Sequence, residues 1–135
     1  MKYQIEHESI KDYQPDLEKI SLSSLEDLPD HSVEYINSYN MLEVIPDYNK
    51  FLELILSKLR LKGVMVIIGI DLNKLCELYL DQIINAEEFN DFISQKTISP
   101  LSKITKILMD NKFTLITIKT DRLLYYIECK RSSNE

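Results

Sequence analysis

One uninterrupted apolar stretch, Val64–Ile70, constrains the fold of this chain more than any other feature. Its residues do not alternate between apolar and polar, as they would in a strand with one face in water. Every position is apolar or glycine, which is typical of a strand covered on both faces. Such strands form the centre of parallel sheets flanked by helices. The sequence therefore predicts an α/β protein built around this strand.

Strand and helix patterns alternate before that stretch. An apolar alternation over residues 2–6 predicts a short first strand, and a β-branched and aromatic run predicts another strand at Val33–Tyr39. The spacing of apolar residues predicts an amphipathic helix over Tyr48–Leu61 that ends at Gly63. Between the two early strands, the segment Leu17–Leu28 is apolar without a clear period and predicts no definite element.

Helices are predicted after the buried strand. Asp71 is placed to cap one of them, because its side chain can accept a hydrogen bond from the first turn. The residues that this helix is expected to turn inward are Leu72, Leu75, Cys76, Tyr79 and Leu80. A second helix is predicted around Glu87–Ile93. A third opens at Ser99, with Pro100 at the first helical position, and continues through Met109.

The chain is expected to end in an antiparallel hairpin. Two alternating runs, Phe113–Lys119 and Leu123–Cys129, are separated by a turn at Thr120–Arg122. With 135 residues, the chain is interpreted as a single domain over residues 1–135. Its predicted sheet is mostly parallel, with the hairpin as an antiparallel edge.

Charge and glycine content argue against several classes of function. Sixteen Lys and Arg residues against 22 Asp and Glu residues give a formal net charge of −6, which repels phosphate backbones and anionic membranes. We therefore expect no nucleic-acid binding, and the basic pair Lys130–Arg131 is too small to change this. The chain has only two glycines, Gly63 and Gly69, so a glycine-rich phosphate-binding loop is not expected either.

Cysteine usage and hydropathy predict a cytoplasmic protein. Cys76 and Cys129 lie far apart, with no CxxC motif and no histidine spacing beside them, which argues against a zinc site and a disulfide framework. No metal cofactor is therefore expected. The polar N-terminus, residues 1–9, lacks the apolar segment of a signal peptide. No stretch approaches the roughly 18 apolar residues that a membrane span requires, so no membrane association is expected.

Four strings of residues, taken in order, resemble a known family. Leu28–Ile36 followed by Met41–Asp47 resembles the fourth-strand region of class I S-adenosylmethionine-dependent methyltransferases. Leu59–Ile67 is similar to the start of the family's fifth strand. Gly69–Asp81 resembles a stretch of small members associated with glycan and surface-polymer pathways, and Leu108–Phe113 stands where the family has a helix end before its terminal hairpin. The resemblance covers most of the chain and implies a Rossmann-like methyltransferase fold.

The sequence departs from that family at its N-terminal end. The family binds the methionine part of its cofactor with a first strand that ends in a glycine-rich loop, and this sequence has no such loop. The chain is therefore interpreted as an incomplete fold that begins near the family's second strand. Two arrangements could fill the central position that this leaves. Residues Lys2–Glu6 could move into it, or a second copy or a partner subunit could complete the sheet.

The resemblance implies a small set of site residues. Glu8 falls where the family has the acid that binds the ribose hydroxyls of S-adenosylmethionine, because one carboxylate can accept two hydrogen bonds; the alternative is a solvated surface residue. Ser21, or a neighbour, stands where an acid usually faces the adenine amino group. Asn40 replaces an upstream histidine near the transferred methyl group, and Glu43 would support the same loop. Val44 replaces a second family histidine.

Two functions are compatible with this pattern. In the first, the chain is an S-adenosylmethionine-dependent methyltransferase-like protein, with Asn40 and Glu43 in the catalytic role and Glu8, Ser21 and Asn40 on the cofactor. It would be weak or inactive as a free chain, because methyl transfer depends on positioning that the missing loop would supply. In the second, the chain is a non-catalytic pseudo-methyltransferase that acts as an interaction or regulatory module, as a homodimer or with a partner subunit.

Overall fold

A computed structural model of the chain describes residues 2–5, 17–39, 48–94 and 98–131. The strands in these ranges are β1 (Lys2–Ile5), β2 (Glu18–Ile20), β3 (Val33–Tyr39), β4 (Leu59–Ile70), β5 (Phe113–Asp121) and β6 (Leu124–Arg131). The helices are α1 (Leu22–Glu26), α2 (Tyr48–Lys58), α3 (Leu72–Leu80), α4 (Ala86–Ile93) and α5 (Leu101–Asp110).

The described strands form one mixed sheet in the order β2-β1-β3-β4-β6-β5. Strands β2, β1, β3 and β4 are parallel, whereas β6 runs antiparallel to β4 and to β5. The predicted α/β fold with a mostly parallel sheet and a C-terminal antiparallel hairpin is therefore confirmed. Residues Lys2–Ile5 pair directly with β3, which is the first of the two arrangements considered for the central position.

One face of the sheet carries the hydrophobic core. Tyr3, Ile36 and Met65 lie opposite one another in the parallel register, so their side chains share a face. All three are buried in a cluster that also contains residues of α1, α2 and α5. The helical members of this cluster are Leu25, Phe51, Leu52, Ile55, Ile104 and Leu108. The core therefore consists of one sheet face covered by three helices.

The structure corrects the predicted end of the helix before β4. Helix α2 ends at Lys58, and β4 begins at Leu59, which pairs with Val33. Gly63 is therefore not a helix stop but lies within β4, where the register with β3 shifts. A Cβ at this glycine would lie 2.8 Å from the carbonyl oxygen of Arg60 and 3.0 Å from that of Val33. The close approach of these backbone groups, rather than helix termination, requires glycine there.

Helix α3 buries fewer residues than its pattern predicts. Asp71 caps the helix as expected, and its side chain accepts a hydrogen bond from the amide of Asn73 at 3.2 Å. Of the five residues expected to point inward, only Leu75 is buried. Tyr79 is 39% exposed and Leu80 is 79% exposed. The predicted inward orientation of these last two side chains is wrong, because they lie outside the core cluster that covers the sheet.

Helix α5 begins one residue later than predicted, because an amide of its first turn bonds to Asp71, a residue distant in sequence. Pro100 occupies the N-cap position and makes no side-chain cap bond. Ser99 instead forms an isolated parallel β-bridge with Asp71. The Oδ1 atom of Asp71 also accepts a hydrogen bond from the amide of Leu101 at 3.2 Å. One carboxylate thus caps α3 and satisfies a first-turn amide of α5.

Two further segments differ from expectation in detail. The C-terminal hairpin is confirmed, but its strands are longer than predicted, so the turn narrows to Arg122 and Leu123. Residues 17–28, which predict no definite element, contain β2 and α1. Both are short, and a strand of three residues is too brief for a periodic pattern to reveal it.

A buried lysine ties the turn before β3 to the end of α2. The Nζ of Lys58 donates to the carbonyl of Leu28 at 2.7 Å and to Oδ1 of Asp30 at 3.0 Å. The amide of His31 donates to the carbonyl of Ser57 at 3.0 Å in the same region. The side chain of Lys58 is only 9% exposed, so these partners replace the water that its ammonium group loses on burial.

The ion pair of Asp30 makes stability depend on pH. The hydrogen bond and the charge of Lys58 lower the pKa of Asp30 below its usual value of 3.8. A carboxyl group whose pKa is lower in the folded state stabilises the fold above its unfolded pKa, and this contribution is lost as pH falls through the folded pKa. We expect Asp30→Asn to lower the free energy of unfolding at pH 7 and to flatten its decrease below pH 3.8, measured by urea denaturation.

Asp27→Asn, an exposed substitution in the same turn region, is the matched control. Identical pH profiles for Asp30→Asn and the unmodified chain would contradict the role given to the Lys58 contact.

Candidate functional site

Between β1 and β3, the connections from one parallel strand to the next change direction across the sheet. Strand β1 is followed in the chain by β2 on one side, whereas β3 is followed by β4 on the other side. In open parallel sheets, ligands bind outside the carboxyl ends of the strands at such a reversal. We call this region the switch-point site and define it by Gln4, Asn37 and Ser38, together with Ser21 after β2 and Asp71 after β4.

Two buried amide side chains lie side by side at this site. Gln4 on β1 and Asn37 on β3 are opposite each other in the register, and each is 1% exposed. Their face of the sheet is the one opposite the hydrophobic core, because the adjacent pair Tyr3 and Ile36 belongs to the core. The two amide side chains are therefore placed on the second face of the sheet by the same register that builds the core on the first.

The carbonyl oxygen of the Asn37 side chain has no hydrogen-bond partner among the described residues. An unpaired buried acceptor costs about 1–3 kcal/mol of stability, which a leucine of similar shape would avoid. The neighbouring Ser38 hydroxyl, by contrast, donates to the backbone carbonyl of Val66 at 3.3 Å. Asn37 therefore offers an acceptor that the described part of the fold leaves unused.

Ser21 lies at the carboxyl end of β2, and its first role is structural. It is the N-cap of α1, where its Oγ accepts from the amide of Ser24 at 3.2 Å and donates to the Ser24 hydroxyl at 3.0 Å. Its Oγ also lies 3.3 Å from the hydroxyl of Ser23. Most of its hydrogen-bonding capacity is therefore used within α1, and its predicted contact with a cofactor stays a prediction.

The remaining predicted site residues, Glu8, Asn40 and Glu43, lie outside the described residues. In the sequence, Glu8 follows the last residue of β1 by three positions, and Asn40 directly follows the last residue of β3. Sequence reasoning missed Gln4 and Asn37. The sequence does show Asn37 as a polar residue inside the β-branched run of β3. The sequence of one strand, however, does not show that both of its faces are buried.

An open groove lies beside the site, where the C-terminal hairpin meets the carboxyl end of β4. Its volume is about 300 Å³, and its apolar lining includes Ile68, Leu124 and Tyr126. Burial, together with the charge of Glu128, raises the pKa of Tyr126 above 10.0, so its phenol is a neutral donor at pH 7. Lys119 and Asp121 supply polar groups to the same groove.

In the part of the chain that the structure describes, no group of three or more His, Cys, Asp or Glu side chains could hold a metal ion. No helix there is long and apolar enough to cross a membrane.

Solved structures of methyltransferases share this fold. The chain is similar to the PH0226 protein from Pyrococcus horikoshii, with a TM-score of 0.65, 14% identity and coverage of 87% of this chain and 60% of that one. It is also similar to a putative methyltransferase from Haloferax volcanii, solved in complex with the Trm112 methyltransferase activator, with a TM-score of 0.62, 13% identity and coverage of 90% and 64%.

A third similar structure is an S-adenosylmethionine-dependent methyltransferase from Methanosarcina mazei, with a TM-score of 0.61, 10% identity and coverage of 87% and 68%. No family profile matches the sequence, and neither does any curated protein. At these identities the similarity shows the fold alone. The chain therefore has a Rossmann-like methyltransferase fold, and it spans less than two thirds of the length of the first two proteins.

The unpaired acceptor of Asn37 yields a test in which stability and binding change in opposite directions. Asn37→Leu keeps the branched shape and removes the unpaired oxygen, so we expect the free energy of unfolding to rise by about 1 kcal/mol. A ligand that donates a hydrogen bond to this oxygen is expected to bind the variant about tenfold more weakly, the equivalent of one lost hydrogen bond. Chemical denaturation and calorimetric titration measure the two effects.

Ser38→Ala is the control, because it removes a hydroxyl that is already paired with Val66. It should lower stability instead of raising it. A loss of stability in Asn37→Leu as large as that in Ser38→Ala would show that the asparagine is a structural residue.

Proposed function

We propose that the chain is an S-adenosylmethionine-dependent methyltransferase-like protein that holds its cofactor at the switch-point site. The observation that carries this proposal is the buried, unpaired Oδ1 of Asn37 next to β1, in a sheet with the methyltransferase fold. This acceptor suits a ligand that presents N–H or O–H donors. S-adenosylmethionine has such donors in its adenine amino group, its ribose hydroxyls and its amino-acid part, and it supplies the methyl group when bound.

Four other residues take roles that rest on the sequence resemblance. Glu8 would accept hydrogen bonds from the ribose hydroxyls, and Ser21 would lie near the adenine. Asn40 would face the transferred methyl group, with Glu43 supporting its loop. None of these residues needs to exchange a proton with the methyl donor, because their work is to bind and orient it.

We further infer that methyl transfer by the free chain is weak. Only two glycines occur in the sequence, and neither belongs to a glycine-rich loop that would let backbone approach the cofactor closely. Holding donor and acceptor in line accounts for most of what an enzyme contributes to such a transfer, so fewer cofactor contacts lower the rate.

The second candidate is a non-catalytic interaction or regulatory module. It is favoured by the open edge of the sheet, where β5 carries Ile116 at 48% exposure and Ile118 at 45%. An exposed edge strand can pair with a second copy or with a partner subunit. The Haloferax methyltransferase, solved with its activator, is a precedent for a partner subunit in that protein.

The single domain over residues 1–135, the cytoplasmic location and the link to glycan or surface-polymer chemistry rest on composition and resemblance, and they remain part of this proposal.

Calorimetric titration of the purified chain with S-adenosylhomocysteine tests the proposed function without a choice of methyl acceptor. We expect saturable one-to-one binding that weakens by about 10-fold to 100-fold in Glu8→Ala, because hydrogen bonds to a charged group are worth about 1.5–3 kcal/mol. Glu53→Ala on the exposed side of α2 is the matched control and should bind as the unmodified chain does.

The absence of heat at millimolar ligand would contradict the cofactor site and would favour the interaction module. Binding that Glu8→Ala leaves unchanged would contradict the role of Glu8 while keeping the cofactor itself.

A further inference from the structure

Helices α3 and α4 expose apolar side chains that the core does not use. No residue of α4 is buried among those described, and α3 buries only Leu75. At the end of α3 and in the turn that follows, Tyr79 is 39% exposed, Ile83 is 66% exposed and Leu80 is 79% exposed. Single exposed apolar residues are common, but three within five positions form a patch.

Two of these side chains, Tyr79 and Leu80, line an apolar groove, which we call the α3–α4 groove. Its volume is about 370 Å³, and its lining is Cys76, Tyr79, Leu80 and Phe89. The rings of Tyr79 and Phe89 meet edge to face, with centroids 5.0 Å apart and an interplanar angle of 72°. This contact holds the two helices together at the groove, so the groove has a defined shape.

The segment that carries the groove is strongly acidic. Residues 71–94 contain one basic side chain and six acidic ones, which accounts for a charge of −5 out of the −6 of the whole chain. The single base, Lys74, is paired with Glu77 at 3.3 Å. The acidic residues are Asp71, Glu77, Asp81, Glu87, Glu88 and Asp91. An occupant of the groove therefore meets a negative field, which favours a positively charged partner.

We propose that the α3–α4 groove is a docking site for a basic amphipathic helix of a partner protein. The apolar stripe of such a helix would fill the groove, and its lysines and arginines would face the acidic residues of α3 and α4. A second copy of this chain is a poorer occupant, because two such acidic surfaces repel each other. The proposal does not depend on cofactor binding at the switch-point site.

The two cysteines provide a reporter for the groove. Cys76 lines the groove and is partly exposed, whereas Cys129 is fully buried. Burial, with the charge of Glu128, raises the pKa of Cys129 to about 12, so it supplies almost no reactive thiolate near pH 8. Alkylation of the native chain therefore reports on Cys76, and the rate of this reaction falls when the groove is covered.

The probe is a synthetic helical peptide of about 18 residues with leucines at helical i, i+3, i+4 and i+7 spacing and lysines on its flanks. We expect this peptide at saturation to slow alkylation of Cys76 at least tenfold, measured by mass spectrometry. The same peptide with glutamates in place of the lysines should have no effect. Leu80→Ser should weaken binding about tenfold, whereas Leu61→Ser, which alters a leucine of 62% exposure on β4, should not.

Two double variants, which each remove two negative charges, separate attraction by the acidic residues near the groove from the effect of the net charge of the chain. The double variant Glu87→Gln with Asp91→Asn should weaken binding of the lysine peptide, and Glu53→Gln with Asp110→Asn should not, although both remove two negative charges. Equal weakening by the two variants would overturn the proposal.

Three other outcomes would overturn it as well. The first is an unchanged rate of Cys76 alkylation with the lysine peptide. The second is a dimer in light scattering that Leu80→Ser converts to a monomer, which would show that a second copy covers the groove. The third is protection of Cys76 by phosphatidylcholine vesicles at least as strong as that given by the peptide, which would assign the surface to a membrane.

Discussion

The parallel pairing of β1, β3 and β4 is the constraint on which the rest of the structure depends. This register places Tyr3, Ile36 and Met65 on one face, where three helices bury them. Because successive strand residues alternate between faces, it also places Gln4 and Asn37 together on the other face. A slip of one residue would exchange the two sets and bury the polar row in the core. The core and the candidate site are therefore two consequences of one register.

Asp71 connects this register to the region beyond the carboxyl end of β4. Its side chain caps α3 and also accepts a hydrogen bond from an amide in the first turn of α5. The segment that contains α3 and α4 therefore begins and ends close to this one residue. The molecule therefore has two surfaces of different character, a polar switch-point site and an acidic, apolar groove. The fold itself is compatible with many functions, and the functional argument rests on the unpaired oxygen of Asn37 and on the charge of α3 and α4.

Sequence patterns predicted those elements whose periodicity is local. Strand β3 has the predicted bounds, and the terminal hairpin is where its two alternating runs lie. The start of β4 was not predictable, because Leu59 pairs with Val33 and Gly63 is required by contact with backbone distant in sequence. Both features depend on tertiary pairing, and the apolar spacing of residues 51–59 continues the helical pattern into the strand.

The site was predictable only in part for a related reason. Ser21 was assigned by resemblance, and its contact with a cofactor stays a prediction, while the structure shows its hydroxyl bonded within α1. The burial of Asn37 follows from the strands on both sides of β3, which no single segment shows. Likewise, the pattern of α3 reveals the apolar side chain of Leu80 without showing that it is 79% exposed.

Titration of the isotope-labelled chain with S-adenosylhomocysteine, followed by backbone amide resonances in NMR, tests the central claim most directly. The account predicts shifts at the carboxyl end of the sheet, at Ile5, Ser21 and Ser38, with little change at Val33 and Leu59 at the opposite end. A spectrum that does not change at millimolar ligand, or changes confined to Val33, Leu59 and their neighbours, would contradict it.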